Sequence, residues 1–72
     1  MTIDVNGNVN LRGYKEKELP EYIQFNKVTS YFEISGSNIE TLRGCPRECD
    51  VFECYGCVYL KNLKYAPIKC YS

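Results

Sequence analysis

Tyr31-Phe32-Glu33-Ile34-Ser35-Gly36 and Val51-Phe52-Glu53-Cys54-Tyr55-Gly56 share Phe, Glu and Gly at an offset of 20 residues. Downstream, Ile39-Glu40-Thr41-Leu42-Arg43-Gly44-Cys45-Pro46-Arg47-Glu48-Cys49 aligns with Leu60-Lys61-Asn62-Leu63-Lys64-Tyr65-Ala66-Pro67-Ile68-Lys69-Cys70 at an offset of 21. One residue is therefore inserted near Cys57 or Val58. Upstream lies a worn third copy, in which Val9-Asn10-Leu11-Arg12-Gly13 matches Phe32–Gly36 and Leu19 matches Leu42, both at an offset of 23. Val28 matches Cys49 at 21, after an expansion around Pro20-Glu21-Tyr22-Ile23. Self-similarity at a period of 20–50 residues is the mark of a stacked-unit architecture.

Each unit reads apolar-x-apolar, a small-residue turn, apolar-x-x-Leu, Pro, and one more apolar residue. Apolar-x-apolar is a short strand with two side chains on one face. Gly13, Gly36 and Gly56 end it, where a sharp turn calls for positive φ. No stretch sustains a 3.6-residue period, so little helix is expected. The best helical candidate is a single turn at 20–25, because Pro20 suits a first helical position. One such unit cannot bury its apolar side, whereas stacked units bury a continuous stripe.

The expected fold is a β-rich repeat: a short leucine-rich-repeat-like solenoid of three units at about 8–29, 30–50 and 51–72, with short parallel strands in a single domain. The expected stripe comprises Val9, Leu11, Leu19, Ile23, Val28, Phe32, Ile34, Ile39, Leu42, Pro46, Cys49, Phe52, Cys54, Leu60, Leu63, Pro67 and Cys70. The alternative is a small β-rich domain whose similarities arise by chance.

The units resemble the leucine-rich-repeat-like proteins of large tailed bacteriophages. Those repeat Phe-x-Cys-Ser-x-Asn-x-Leu-x-x-Leu-x-Gly-Cys-Pro-x-x-Val. Residues 8–70 carry the resemblance, and Asn8-Val9-Asn10-Leu11 with Glu18-Leu19-Pro20-Glu21 is similar to the group's first unit. The group's turn Asn falls on Ser37 and Cys57 here, and its Val falls on Cys49 and Cys70. The resemblance implies a phage gene product acting inside a bacterium.

Size and charge bound the function. The chain has 72 residues, and so short a domain buries only about 60% of the surface of its unfolded chain. A deep enzyme pocket is hard to build from it. Nine basic and nine acidic residues balance, which argues against non-specific nucleic-acid binding. Residues 30–57 carry a net −3 and residues 58–72 a net +3. No apolar run approaches the roughly 20 residues of a membrane span. The N-terminus lacks a secretory pattern, so a cytoplasmic protein is expected, within the host bacterium.

The five cysteines admit three readings. Cys45, Cys49, Cys54 and Cys57 could hold zinc, with a nucleic-acid role as a distant functional alternative. An internal disulfide is the second reading. The favoured one is reduced packing thiols, since free Cys behaves as a small buried hydrophobe. No His is present to act as a base, and no motif pairs a nucleophile with an acid–base partner. No enzyme activity and no cofactor is expected.

Tyrosine is abundant, with seven copies and no Trp, and Tyr is enriched at binding hot spots. If Phe32 and Ile34 point inward, Tyr31, Glu33 and Ser35 point outward. The same alternation turns Val51, Glu53 and Tyr55 outward, together with Asn8, Asn10 and Arg12. Stacking sets Asn10, Glu33 and Glu53 in one column, about 4.8 Å per step. Tyr31, Glu33, Glu53, Tyr55 and Arg12 are therefore the expected partner-binding residues, aimed at a basic group on a host protein. The alternative is a duplicated, solvated Glu column without a role. The runner-up function is a structural or self-assembling module, with a homodimer through the C-terminal end.

Overall fold

A computed structural model describes residues 2–70, the side chains of Lys69 and Cys70 excepted. Its elements are all strands: β1 (Thr2–Val5), β2 (Val9–Asn10), β3 (Gln24–Glu33), β4 (Glu48–Glu53) and β5 (Lys69–Cys70). There is no helix among the described residues, and none long and apolar enough to cross a membrane. Every pairing is parallel, in the order β1-β3-β4-β5, with β2 also on β3. Parallel neighbours need crossovers of about a dozen residues or more, usually helical. Here the connections at 11–23, 34–47 and 54–68 are irregular turns instead.

The register coincides with the internal alignment. Val9 partners Phe32, which partners Phe52, and Asn10 partners Glu33, which partners Glu53. Val28 partners Cys49, which partners Cys70. Between Val28 and Tyr31 the β3–β4 register shifts, and there the offset changes from 21 to 20 residues. That irregularity keeps both Cys49 and Phe52 facing the core although three positions separate them.

The connections are tied to one another as well. Glu40 N donates to Lys17 O at 2.7 Å and Lys61 N to Glu40 O at 3.2 Å. Arg47 N donates to Asn26 O at 2.9 Å and Ile68 N to Arg47 O at 2.8 Å. Backbone groups of irregular segments thereby find the partners that burial demands.

The core lies between sheet and connections: Val28, Phe32 and Cys49 from strands, with Leu19, Ile34, Ile39, Leu42, Cys45 and Pro46. Phe32 packs edge-on against Phe25 (5.2 Å between centroids, 67°) and stacks on Phe52 (5.8 Å, 9°). No buried side-chain nitrogen or oxygen among the described residues lacks a hydrogen-bond partner.

Three expectations need correction. Pro20–Phe25 is not a helical turn. Ile23 N donates to Pro20 O at 3.0 Å in a tight turn, and β3 begins at Gln24. Leu63, expected in the core, is 73% exposed. It has a neighbouring connection on one side only among the described residues, whereas its counterpart Leu42 is covered on both. Phe52 is only half-buried although it shares its register with the wholly buried Phe32. β1 lies ahead of the aligned residues and pairs with Gln24–Val28.

Polar side chains hold β1 and β2 to β3 where the ladder is interrupted. Asp4 Oδ1 accepts from Lys27 N and Asn26 Nδ2, at 3.2 and 3.0 Å. Asn8 Oδ1 accepts from Tyr31 N at 3.1 Å, and Thr29 Oγ1 links Gly7 N to Asn6.

Candidate functional site

The outward sheet face is built by strand alternation, as β3 and β4 turn the buried Phe32 and the half-buried Phe52 inward and their neighbours outward. Tyr31 is 48% exposed and Tyr55 is 73% exposed. Both backbones are fixed from below: Tyr31 N by Asn8, and Tyr55 N by Ser35 Oγ at 3.0 Å. Tyr55 O accepts from Gly36 N at 2.7 Å, and Glu53 O accepts from Ile34 N at 2.9 Å. The face is therefore a set of side chains on an anchored backbone, the arrangement that keeps binding groups in place.

The Glu column is real but unevenly charged. Arg12 Nε lies 3.6 Å from Glu33 Oε2, with the Arg12 side chain well exposed and that of Glu33 mostly covered. This pair relieves the repulsion that adjacent carboxylates on neighbouring strands would feel. Glu53 has no ion-pair partner among the described residues. The column thus presents Asn10, a neutralised Glu33 and an open Glu53, with Tyr55 beyond it. Of the five expected residues, Tyr31, Glu33 and Glu53 stand on β3 and β4, while Arg12 and Tyr55 stand in the turns that follow β2 and β4. The Arg12–Glu33 pairing was not foreseen, although their offset of 21 puts Arg12 within reach of the Glu33 column.

The cysteines divide by environment. Cys45 and Cys49 are almost wholly buried, while Cys54 and Cys57 are half-buried, and all four are free thiols. Cys57 Sγ donates to Ile34 O at 3.2 Å and lies 3.5 Å from Ser37 Oγ. Among the described residues, no three His, Cys, Asp or Glu side chains gather where a metal ion could sit, so the zinc set Cys45, Cys49, Cys54, Cys57 is not assembled. The side chain of Cys70 lies outside the described residues. Burial pushes the Cys45 thiol from 9.0 up to about 12, and burial with the neighbouring Cys57 thiol does the same for Cys54.

A raised thiol pKa binds its proton more tightly in the folded state. The stability it contributes is fully present below the unfolded value and is lost as pH rises through the folded value. Stability is therefore expected to hold up to about pH 8.5 and to fall between 9.0 and about 12, and Cys45→Ala should flatten part of that decline. Denaturant melts at stepped alkaline pH, compared between the two proteins, measure it. An identical decline in both would remove Cys45 as a contributor.

Sequence reading missed a second feature. Gln24, Cys45, Arg47, Tyr65, Ala66 and Ile68 line an open concavity of about 400 Å³ at the end of the connections. Its rim residue Tyr65 takes φ = 69°, a left-handed conformation unusual for a bulky side chain. The available signal was the alignment of Tyr65 with Gly44, whose φ is 92°.

No protein-family model, no curated protein and no solved structure matches this chain.

Proposed function

We propose that the chain is a short leucine-rich-repeat-like solenoid that acts by binding a protein through its outward sheet face. The carrying observation is the register that stacks Asn10, Glu33 and Glu53, with exposed Tyr31 and Tyr55 flanking the column. Rigidly mounted tyrosines bury large area at low entropic cost. An open carboxylate beside them favours a partner that offers a Lys or Arg. The resemblance to phage proteins supports a host bacterial protein as that partner. The role is then that of a phage-encoded module that modulates it in the host cytoplasm, in defence or takeover.

Glu53→Lys combined with Tyr55→Ala tests the face without touching an internal side-chain contact. The double variant is expected to melt like the parent and to lose capture of the partner that the parent retains from host lysate. Undiminished capture by a folded double variant removes this face as the interface.

The runner-up, a self-assembling module, has its own supporting observation. Val58, Tyr59, Leu63, Tyr65 and Ile68 are 58–86% exposed and all lie in the last connection. Contiguous exposed apolar surface favours association. On this reading, light scattering at micromolar concentration gives a mass above the monomer, and Ile68→Asp returns it to the monomer. A monomer in both eliminates it.

A further inference from the structure

Cys54-Tyr55-Gly56-Cys57 forms the turn that leaves β4, with Tyr55 and Gly56 as its central residues. Gly56 takes φ = 67°, the left-handed conformation that the third position of a type II turn requires. A four-residue turn holds its first and last Cα atoms within about 7 Å. A disulfide spans Cα atoms about 4.4–6.8 Å apart. The backbone is therefore already folded to the span that a bond between the two ends needs.

The side chains meet as well. Both side chains pack against the same core, and the Cys57 thiol lies close enough to Cys54 to add to the rise of its pKa. Each is half-buried, in contrast to Cys45 and Cys49 at 2% and 1% exposure. Between them Tyr55 is 73% exposed, and Gly56 carries no side chain. One flank of the thiol pair is thus open to a reagent of modest size.

We propose that Cys54 and Cys57 form a redox-active dithiol that exchanges with external disulfides to close a Cys54–Cys57 bond. The reacting partner is a low-molecular-weight disulfide of the glutathione class. The Cys57 thiolate attacks one sulfur of the external disulfide. The external S–S bond breaks, a mixed disulfide forms on Cys57, and one thiolate leaves and takes up a proton. Cys54 then loses its proton and attacks the Cys57 sulfur. The mixed disulfide breaks, the internal bond forms, and a second small thiol departs. The two protein thiols have given up two electrons and two protons, and the external disulfide has received both.

The order of attack follows from the surroundings. Burial, with the Cys57 thiol beside it, holds the proton of Cys54. Cys57 is therefore the first nucleophile and Cys54 the resolving thiol. The thiolate is the attacking form, so exchange accelerates as pH rises. Closure draws Cys57 Sγ away from Ile34 O and Ser37 Oγ. The loop it closes is so short that it restricts the unfolded chain little, which makes the bond a reversible modification rather than a staple. The proposal stands independently of partner binding.

The test uses the full chain carrying Cys70→Ser, incubated natively with excess oxidised glutathione at pH 8.5, quenched with acid and mapped by peptide mass spectrometry. The expected product has lost two hydrogens and carries a Cys54–Cys57 linkage, with Cys45 and Cys49 still alkylatable after denaturation. In the same background Cys54→Ser is expected to accumulate glutathione on Cys57, while Cys57→Ser leaves Cys54 a thiol. The parent map stands even if a serine variant fails to fold. Native protein that forms no Cys54–Cys57 linkage, or forms it only in denaturant, overturns the proposal. Glutathione accumulating on Cys54 in the Cys57→Ser variant overturns the order of attack.

Discussion

Phe32→Ala is expected to destabilise the protein by about 3–5 kcal/mol, the usual loss for a phenylalanine removed from a packed core. Phe32 has no exposed surface and stands between Phe25 and Phe52, in ring contact with both. Alanine removes the middle of that row and leaves a cavity that two rings on different strands cannot jointly fill. Net stabilities of about 5–15 kcal/mol are usual, with small domains at the low end, so this one change approaches the whole stability of the fold. Phe52→Ala should cost clearly less, because Phe52 is half-buried and has one ring neighbour among the described residues. Urea titration of both variants provides the comparison, with Phe32→Leu as the milder replacement should the alanine variant not fold. Equal losses at the two positions would mean that register, and not burial, sets the energetics.

The contrast between these two phenylalanines shows how far the sequence can be read. Strand partners were legible because Phe, Glu and Gly recur, and a parallel sheet aligns recurring residues. The offsets of 23, 21 and 20 are the offsets of Val9–Phe32, Val28–Cys49 and Phe32–Phe52 in the sheet. Burial was less legible, since it depends on what covers a residue from both sides. Leu42 and Leu63 align perfectly, yet one is wholly buried and the other 73% exposed. β1 was missed because Thr2-Ile3-Asp4-Val5 precedes any recurrence. The full length of β3 was missed because polar groups such as Asp4, Asn6 and Asn8 extend its pairing where no apolar pattern marks it. Alternation along β3 and β4 set Glu33 and Glu53 in register. It could not show that Arg12 reaches Glu33, which leaves Glu53 as the open acid of the column.

Gly44 and Tyr65 occupy aligned positions in successive connections, both with positive φ, and their exchange experiments should have opposite signs. A Cβ on Gly44 would meet the backbone oxygen of Ile23 at 3.0 Å and the Leu19 side chain at 3.2 and 3.3 Å. The Ile23 oxygen cannot move away cheaply, because Gly44 O also accepts from Phe25 N at 3.0 Å and locks the two segments together. Gly44→Ala therefore adds a left-handed penalty of about 1–2 kcal/mol to an overpacking cost of about 1–3 kcal/mol. At Tyr65 the same kind of penalty is already present in the folded protein, on a side chain that is 60% exposed and packs little. Tyr65→Gly removes it against an entropic cost of roughly 0.5–1 kcal/mol for glycine, for an expected net gain of about 0.5 kcal/mol. A protein that retains a strained, exposed tyrosine at the rim of a concavity gives up stability there, a pattern that clusters at functional surfaces. Thermal melts of Gly44→Ala and Tyr65→Gly decide the matter: a loss at the first with a gain at the second supports the strain assignment, and a loss at Tyr65→Gly comparable to that at Gly44→Ala would show that the Tyr65 ring is packing rather than strained.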